Sequence, residues 1–463
     1  VCIILYFLIT LQYTRYVECK FNVVKMPNFR DKIFKVRFTN SIQLYRRNSS
    51  GTAQLEGRNL KFSDGSAATT RMMEYALSSC TLIPCVVLLL IRRAQRTFNS
   101  ISYISEGNAN VVFQFGHDQI LRVPKQFCST TSPLLETRWV QELWVSLLGR
   151  RYVDVPRTIT LSQSFIVKLN ACLSTVEQAC ERGKKRIGSR IVGGPDGRIH
   201  AQLLSNALLI ARVEEQKCPF NCYSVEIKPK CGCLPSASNL PIDSPKRTTS
   251  RYHMHQHLKL HRGEIQRVSQ YSPLEFFSGT EKNRKKALSD LRNDPQNNLQ
   301  MFVNAKRAEP TQWMLDMVGL ILSREHGLLD ALLDVQKMDT IDFESPSQIV
   351  RNVKVHEILR SYSQEGKLSK VQRFLLARSA MDCSIITSFQ ECSGNNSSSS
   401  SSFVKESLQD VRRPGSFVFE RKMYQYQITV VDLDFKSYDR MKKWKQLDQQ
   451  IVAHYLLGTS FKT

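Results

Sequence analysis

A mixed fold, α+β or α/β, is what this sequence predicts, and three observations carry the prediction. Runs of strand character alternate along the chain with runs of helical character. Two short strand-like runs, 110–115 and 119–123, flank Gly116-His117-Asp118, which reads as a hairpin with its turn. The apolar spacing of Trp313, Met317, Leu320, Leu328 and Leu332 reads as helix over 313–334, broken near Gly327. At 463 residues the chain suits two or three domains and buries a core easily.

The elements follow in order. Residues 1–102 stand apart from the rest. Val1 to Leu11 and Thr81 to Ile91 are apolar runs, both shorter than the roughly 20 residues of a membrane-spanning helix, and the second contains Pro84. An anchoring segment is one reading of this region; translated non-coding sequence is the plainer and preferred one. Orderly patterning begins at Tyr103. Residues 137–148 read as a helix of imperfect period, with Trp139, Leu143, Val145 and Leu147 apolar, and this helix is expected to cover the hairpin. Gly193 to Gly197 form a loop. Ser397 to Ser402, after Gly394-Asn395-Asn396, make a flexible serine-rich insert near 393–402. The expected division is an extension 1–102, an N-terminal part 103–204 and a C-terminal part 205–463.

Lys and Arg number 65 against 41 Asp and Glu, a formal net charge of +24. Such an excess calls for a polyanionic partner: nucleic acid, an anionic membrane surface or a highly phosphorylated small molecule. No zinc-finger spacing, RNA-recognition aromatic box or heptad-linked basic region is present, which places nucleic acid behind the small molecule. Thirteen cysteines, odd in number and irregular in spacing, suit reduced thiols in cytoplasm or nucleus. Cys218 with Cys222 and Cys231 with Cys233 have the spacing of half a metal site; free thiols are the preferred reading.

The stretch Val225-Glu226-Ile227-Lys228-Pro229-Lys230 carries the chemistry. On a strand, Glu226, Lys228 and Lys230 share one face while Val225 and Ile227 enter a core. Pro229 donates to no ladder and marks a sheet edge or a strand end. Two lysines on a rigid element hold phosphate oxygens, and the acid beside them orients a hydroxyl or a metal. An ordinary half-buried strand with a solvated charged face is the plain alternative.

Further motifs decide between the two. They are 251–259 (Arg251, His253, His255, His257, Lys259), Ser272-Pro273-Leu274-Glu275-Phe276-Phe277-Ser278-Gly279, Pro295-Gln296-Asn297-Asn298, Met381-Asp382-Cys383-Ser384, and Val431-Asp432-Leu433-Asp434-Phe435-Lys436. With the Glu-x-Lys-Pro-Lys box, and in this order, they closely resemble the inositol-pentakisphosphate 2-kinases, from about Tyr103 to Leu457. The resemblance implies a two-lobed kinase-like fold with the nucleotide site between the lobes. It implies transfer of a phosphoryl group from ATP to the 2-hydroxyl of inositol pentakisphosphate, completing phytate, by a monomer.

The resemblance also implies roles for particular residues. Gly107, Asn108, Ala109, Asn110, Arg122, Glu226 and Asp432 fall on the nucleotide side. Arg190, Lys228, Lys230, His255, Lys259, Asn297, Asn298, Lys436, Arg440 and Trp444 fall on the inositol phosphate side. Lys228 and Asp382 are the catalytic pair, and Asp382 with Asp432 would hold Mg²⁺, whose preference is for hard carboxylate oxygens. Asp434 shares the face of Asp432 if that strand continues, and Lys436 shares one with Arg440 if a helix begins there. Plant relatives carry a zinc site of two His and Cys-x-x-Cys; 342–376 holds no cysteine and only His356, so no structural zinc is expected. His253, His255 and His257 do not converge if their segment is helical.

The chain also departs from the family pattern. Ile104-Ser105 replace the first residues of its Arg-Gly-Glu-Gly loop, Asn206-Ala207 replace the Asp-His of its hinge, and Gln300 replaces an arginine. Trp444 stands near a substrate-contacting tyrosine. These changes favour a rival reading, a catalytically weak homologue that binds inositol phosphate or RNA. Intact Lys228, Asp382 and Asp432 oppose it. A multikinase is disfavoured because its Pro-x-x-x-Asp-x-Lys-x-Gly signature is absent.

Overall fold

The computed structural model describes residues 101–107, 110–125, 133–178, 190–210, 220–236, 240–325, 327–343, 353–392 and 414–460, and before them only the backbone of five short strands. Contacts divide the chain into Val1–Leu90 and Ile91–Thr463. In the first unit β1 (Tyr16–Val17), β4 (Leu44–Arg47) and β5 (Ala53–Leu55) form one small sheet. There β2 (Asn22–Val23) and β3 (Val36–Arg37) form another. The two apolar runs and the serine-rich insert of the sequence reading lie outside the described residues. Among the described residues no helix is long and apolar enough to cross a membrane.

The second unit is α+β, with two antiparallel sheets and helices packed on them. Its first sheet has the order β6 (Ile101–Glu106), β7 (Asn110–Phe115), β8 (Gln119–Pro124), β10 (Ile199–Ser205), β9 (Arg157–Leu161). The expected hairpin is β7 with β8, registered from Asn110 opposite Pro124 to Phe115 opposite Gln119. Gly116 turns it at φ +71°, a left-handed conformation open to glycine. One face of this sheet buries Val111, Phe113, Leu121, Val123, Ala201 and Leu203 against Ile166, Leu169 and Leu173 of the helix Gln163–Gln178.

The helix around Trp139 therefore does not cover the hairpin, contrary to expectation. It packs in the core of the second sheet, where the Trp139 indole donates to the Leu433 carbonyl at 2.8 Å and meets Phe435 edge-on. Its irregular period has a cause. Residues Trp139–Trp144 form a π-helical turn between the α-helical turns Pro133–Arg138 and Val145–Leu148. The widened turn slips the apolar stripe, so Trp139, Leu143, Trp144 and Leu148 are the residues buried.

The second sheet has the order β13 (Lys306–Ala308), β12 (Leu299–Val303), β11 (Cys222–Ile227), β14 (Ser384–Cys392), β16 (Lys422–Val431), β15 (Gly415–Phe419). Strand β11 is central, so Pro229 marks the end of a strand and not a sheet edge. The helices Gln312–Arg324 and Leu328–Lys337 are separated at Gly327, at φ +100°, as the sequence predicts. Ser369 and Gln372 cap the helix Lys370–Asp382 reciprocally, which fixes where it starts; its far end delivers Asp382.

The segment joining the sheets is pinned to the second one. Ser388 Oγ donates to the Ala207 carbonyl and Ser224 Oγ to that of Leu208, each at 2.6 Å. The buried Asn206 amide spans from Gln114 to the backbone of Leu208.

Further along, the helix Arg251–His261 packs on Met441–Ser460 through Met254, Leu258 and Ile451. Beneath that contact lies a buried charge network. Lys246 bridges Asp342 and Asp448, Arg251 reaches Asp448 at 3.0 Å, and Arg378 reaches Asp339 at 2.6 Å while lying 4.2 Å over the Phe343 ring.

Candidate active site

The site is built where β11 ends. Val225 and Ile227 are fully buried, and Glu226 stands opposite Gln300 and Ile386. Burial raises the Glu226 pKa. Beyond Ile227 the ladder gives way to one last bond, from the Lys228 N–H to the Asn298 carbonyl at 2.8 Å. Lys230 then turns left-handed at φ +65°, so strand alternation does not place it beside Lys228. Instead a braced loop does. Tyr271 donates to the Pro229 carbonyl at 2.9 Å and Gln336 Nε2 to that of Lys230 at 3.0 Å, while the Gly232 N–H donates to Gln336 Oε1 at 2.7 Å.

Three elements bring charge to this loop. At the end of Lys370–Asp382, the Asp382 carboxylate accepts from Lys436 at 2.9 Å. The side chain is well exposed, so its partial desolvation beside the loop is outweighed by Lys436, then Lys230 and Lys228, which hold its pKa below the ordinary value. From the end of β16, Asp432 lies 3.9 Å from Lys228 Nζ, at φ +61°. Asp and Asn tolerate that conformation better than other non-glycine residues. On the helix Arg251–His261, His255 and Lys259 stand one turn apart. Burial, then Arg251, Lys259, Arg262 and Lys230, drive the His255 pKa down to about 4. Burial lowers the Lys230 pKa, with Lys228 and Lys259 adding to the fall against Asp382. Lys228, Lys230, Lys259, Lys436, His255, Asp382 and Asp432 thus form one electrostatic neighbourhood.

Several sequence expectations change here. The strand stops at Val431, so Asp434 does not share the Asp432 face; it binds Arg122 of β8 bidentately, one contact being 2.7 Å. Burial disfavours the Arg122 charge, yet Asp434 raises its pKa overall, and Arg122 in turn lowers that of Asp434 against burial. Lys436 and Arg440 do not share a helix face. A short 3₁₀ turn, Tyr438–Arg440, intervenes and Arg440 is exposed. Asn297 is exposed, whereas Asn298 is buried and donates to the Tyr252 hydroxyl, bracing Lys228 from behind. Trp444 is half-buried against Phe374. Arg190 is engaged elsewhere, with Glu177 at 2.8 Å. Gly107 donates to the Asn110 carbonyl at 2.9 Å, between β6 and β7. In the orientation that satisfies both groups, the Asn110 amide oxygen accepts from Arg122. Asn108 and Ala109 lie outside the described residues.

Three contributors escaped the sequence reading. Gln336 sits on the buried stripe of Leu328, Leu329, Leu332 and Val335, and a glutamine at that position was the available signal. Tyr271 carried none. Glu136, held by Gln202 at 3.2 Å, has its pKa raised by burial to about 7 despite Arg122; nothing in its local sequence marks it.

Among the described residues no group of three or more His, Cys, Asp or Glu is arranged to hold a metal. Two carboxylates, Asp382 and Asp432, flank the lysine loop. That donor set suits Mg²⁺, which takes one or two protein carboxylates together with substrate phosphates and not a full protein cage.

Comparison with known proteins gives the family. The family model for inositol-pentakisphosphate 2-kinase matches residues 103–450. An inositol-pentakisphosphate 2-kinase of Arabidopsis thaliana is 27% identical over 442 residues, covering 84% of this chain and 92% of that protein. One from Oryza sativa subsp. japonica is 32% identical over 281 residues, covering 51% and 60%. One from Danio rerio is 22% identical over 482 residues, covering 78% and 94%. With the family model spanning most of its length, the chain belongs to the inositol-pentakisphosphate 2-kinase family.

Proposed function

We propose that this chain transfers the γ-phosphoryl group of ATP to the 2-hydroxyl of inositol 1,3,4,5,6-pentakisphosphate, giving the hexakisphosphate. The observation that carries the proposal is the meeting of Lys228, Lys230 and Lys436 with Asp382 and Asp432 at the ends of three separate elements. In this reading the two sheets are the lobes of a kinase-like fold, and ATP lies between them with its phosphates toward Arg122 and the Gly107 turn. Residues 1–102 lie outside the kinase, which acts as a monomer in the cytoplasm or nucleus.

Phosphoryl transfer asks for positioning and charge neutralisation more than for covalent chemistry. The substrate brings five phosphates, roughly −7 to −10 charges, and Lys230, Lys259 and Lys436 answer them around the ring. Lys228 neutralises charge on the group in flight. Asp382 accepts a hydrogen bond from the attacking hydroxyl. Its lowered pKa makes it a weak base, so it orients the nucleophile and takes the proton late, as the bond to phosphorus forms. Asp382 and Asp432 would hold Mg²⁺, which when bound supplies charge neutralisation on the phosphate oxygens.

The test is incubation of the purified protein with ATP, Mg²⁺ and inositol pentakisphosphate, with the products resolved by anion exchange. Hexakisphosphate formed in step with ADP is expected. Tight binding of the inositol phosphate without turnover would replace the kinase by a binding protein.

A further inference from the structure

We propose that Cys231 and Cys233 form a redox modification site, a dithiol that a low-molecular-weight disulfide such as oxidised glutathione closes into an intrachain disulfide, displacing the loop that carries Lys230. The bond itself stands on geometry alone; its effect on turnover rests on the kinase reading above.

The two Sγ atoms lie 3.8 Å apart across a single residue, and Cys231 Sγ also lies 3.3 Å from the Cys233 carbonyl. A disulfide needs about 2.05 Å between sulfurs, so the pair is within a small local movement of closure. Both side chains are partly exposed, unlike the buried Cys222 and Cys383. The hydrogen bond from Cys233 draws the Cys231 thiol down to about 7 against its burial. Cys231 is therefore the attacking sulfur, in the range where thiolate is both populated and nucleophilic.

The chemistry balances. Cys231 thiolate attacks one sulfur of oxidised glutathione and releases a glutathione thiolate. Cys233 then loses its proton to solvent and displaces the second glutathione. One S–S bond and two S–H bonds become one protein S–S bond and two glutathione thiols.

The consequence follows from how tightly the loop is held. A Cβ on Gly232 would lie 2.2 Å from the Phe277 ring, so the residue between the sulfurs has no room to shift toward that side. Its N–H is fixed on Gln336 Oε1, whose other end holds the Lys230 carbonyl. Contraction between the sulfurs must rotate the peptides flanking Gly232, and the first of these joins Gly232 to Cys231, the residue directly after Lys230. Breaking either Gln336 bond releases the left-handed turn that sets Lys230 beside Lys228 and Asp382.

The full chain is treated with oxidised glutathione, quenched by alkylation and digested with trypsin without reduction. The peptide 231–246 should be lighter than its dithiol form by two hydrogen atoms and carry no glutathione, and dithiothreitol should reverse this. A displacement of about 1 Å in a positioning group costs up to ~100-fold in rate, so turnover should fall at least about tenfold and return on reduction. Cys231→Ser, which removes the attacking sulfur, should keep parental turnover and lose its sensitivity to the oxidant, whereas Cys233→Ser should stop at the mixed disulfide with glutathione. In the parental chain two alkylated thiols, or a mixed disulfide with glutathione as the end product, overturns the site. A disulfide that leaves turnover unchanged overturns its control of Lys230. Absence of turnover before any oxidant counts against the kinase reading instead, and the peptide mass still decides for or against the bond.

Discussion

Lys228→Ala should separate catalysis from folding in this protein, because the backbone and the side chain of Lys228 make different contacts. The N–H bond to Asn298 is a main-chain bond at 2.8 Å and survives the substitution. The side chain is 29% exposed and its ammonium lies 3.9 Å from a carboxylate that is 54% exposed. A pair that loose and that wet contributes at most about 1 kcal/mol. Losing the stem adds about as much again. The thermal midpoint should therefore fall by no more than a few degrees. Catalysis is different, since a positioned charge at the transferring group is typically worth ~10²–10³ in kcat, about 2.7–4 kcal/mol. The assay measures kcat and the KM values for ATP and inositol pentakisphosphate beside the melting curve. A hundredfold or greater fall in kcat with a nearly unchanged melt is expected. A variant with near-parental kcat removes Lys228 from the mechanism, and one that melts far lower would mean that the side chain is structural.

Lys436→Ala should weaken inositol phosphate binding by about 1.5–3 kcal/mol, the value of a charged hydrogen bond, with a loss that shrinks in high salt. Arg440→Ala should do less because Arg440 is exposed outside the cluster, and a fall in ATP affinity instead would reverse the two sites. His255 is neutral in the fold, its pKa lying at about 4 against an ordinary 6.5, so its contribution to stability is full above 6.5 and is lost as pH falls through about 4. Phosphates bound beside it raise that pKa. Calorimetry between those values in buffers of different ionisation heat should then show proton uptake that His255→Asn diminishes, and equal uptake in both proteins would take His255 out of the pocket. Removing residues 1–90 should leave activity unchanged or improved. Cutting to 101 would take Ile101 from its pairing with Phe115 at the start of β6; insolubility of the shorter cut would show the extension to be part of the fold.

What the sequence made legible was local. The hairpin at Gly116 and the helix break at Gly327 each depend on a few neighbouring residues whose backbone preferences agree. The lysine face was legible in its chemistry but not in its geometry, because alternation ends at Ile227 and a left-handed Lys230 with a buried glutamine takes over. Which helix covers the first sheet was not legible, since a π turn shifts the stripe of 133–148 and hands Trp139 to the other core. Least legible was the partner of Arg122, a carboxylate 312 residues away. Pairing at that separation is decided by the packing of whole elements, and no local pattern marks it.

The packing of Met441–Ser460 on Arg251–His261 sets an order of events during synthesis. The helix that presents His255 and Lys259 emerges from the ribosome nearly two hundred residues before the helix that covers Met254 and Leu258. Until then those side chains have no apolar neighbour on that side, and Lys246 and Arg251 wait for Asp448 with their charges unpaired by it. Long-range contacts of this kind form late and leave sticky surface exposed meanwhile. The part of the site that carries His255 and Lys259 is therefore finished last, and a nascent chain stalled before residue 441 should draw chaperones to the face that its own later helix would cover.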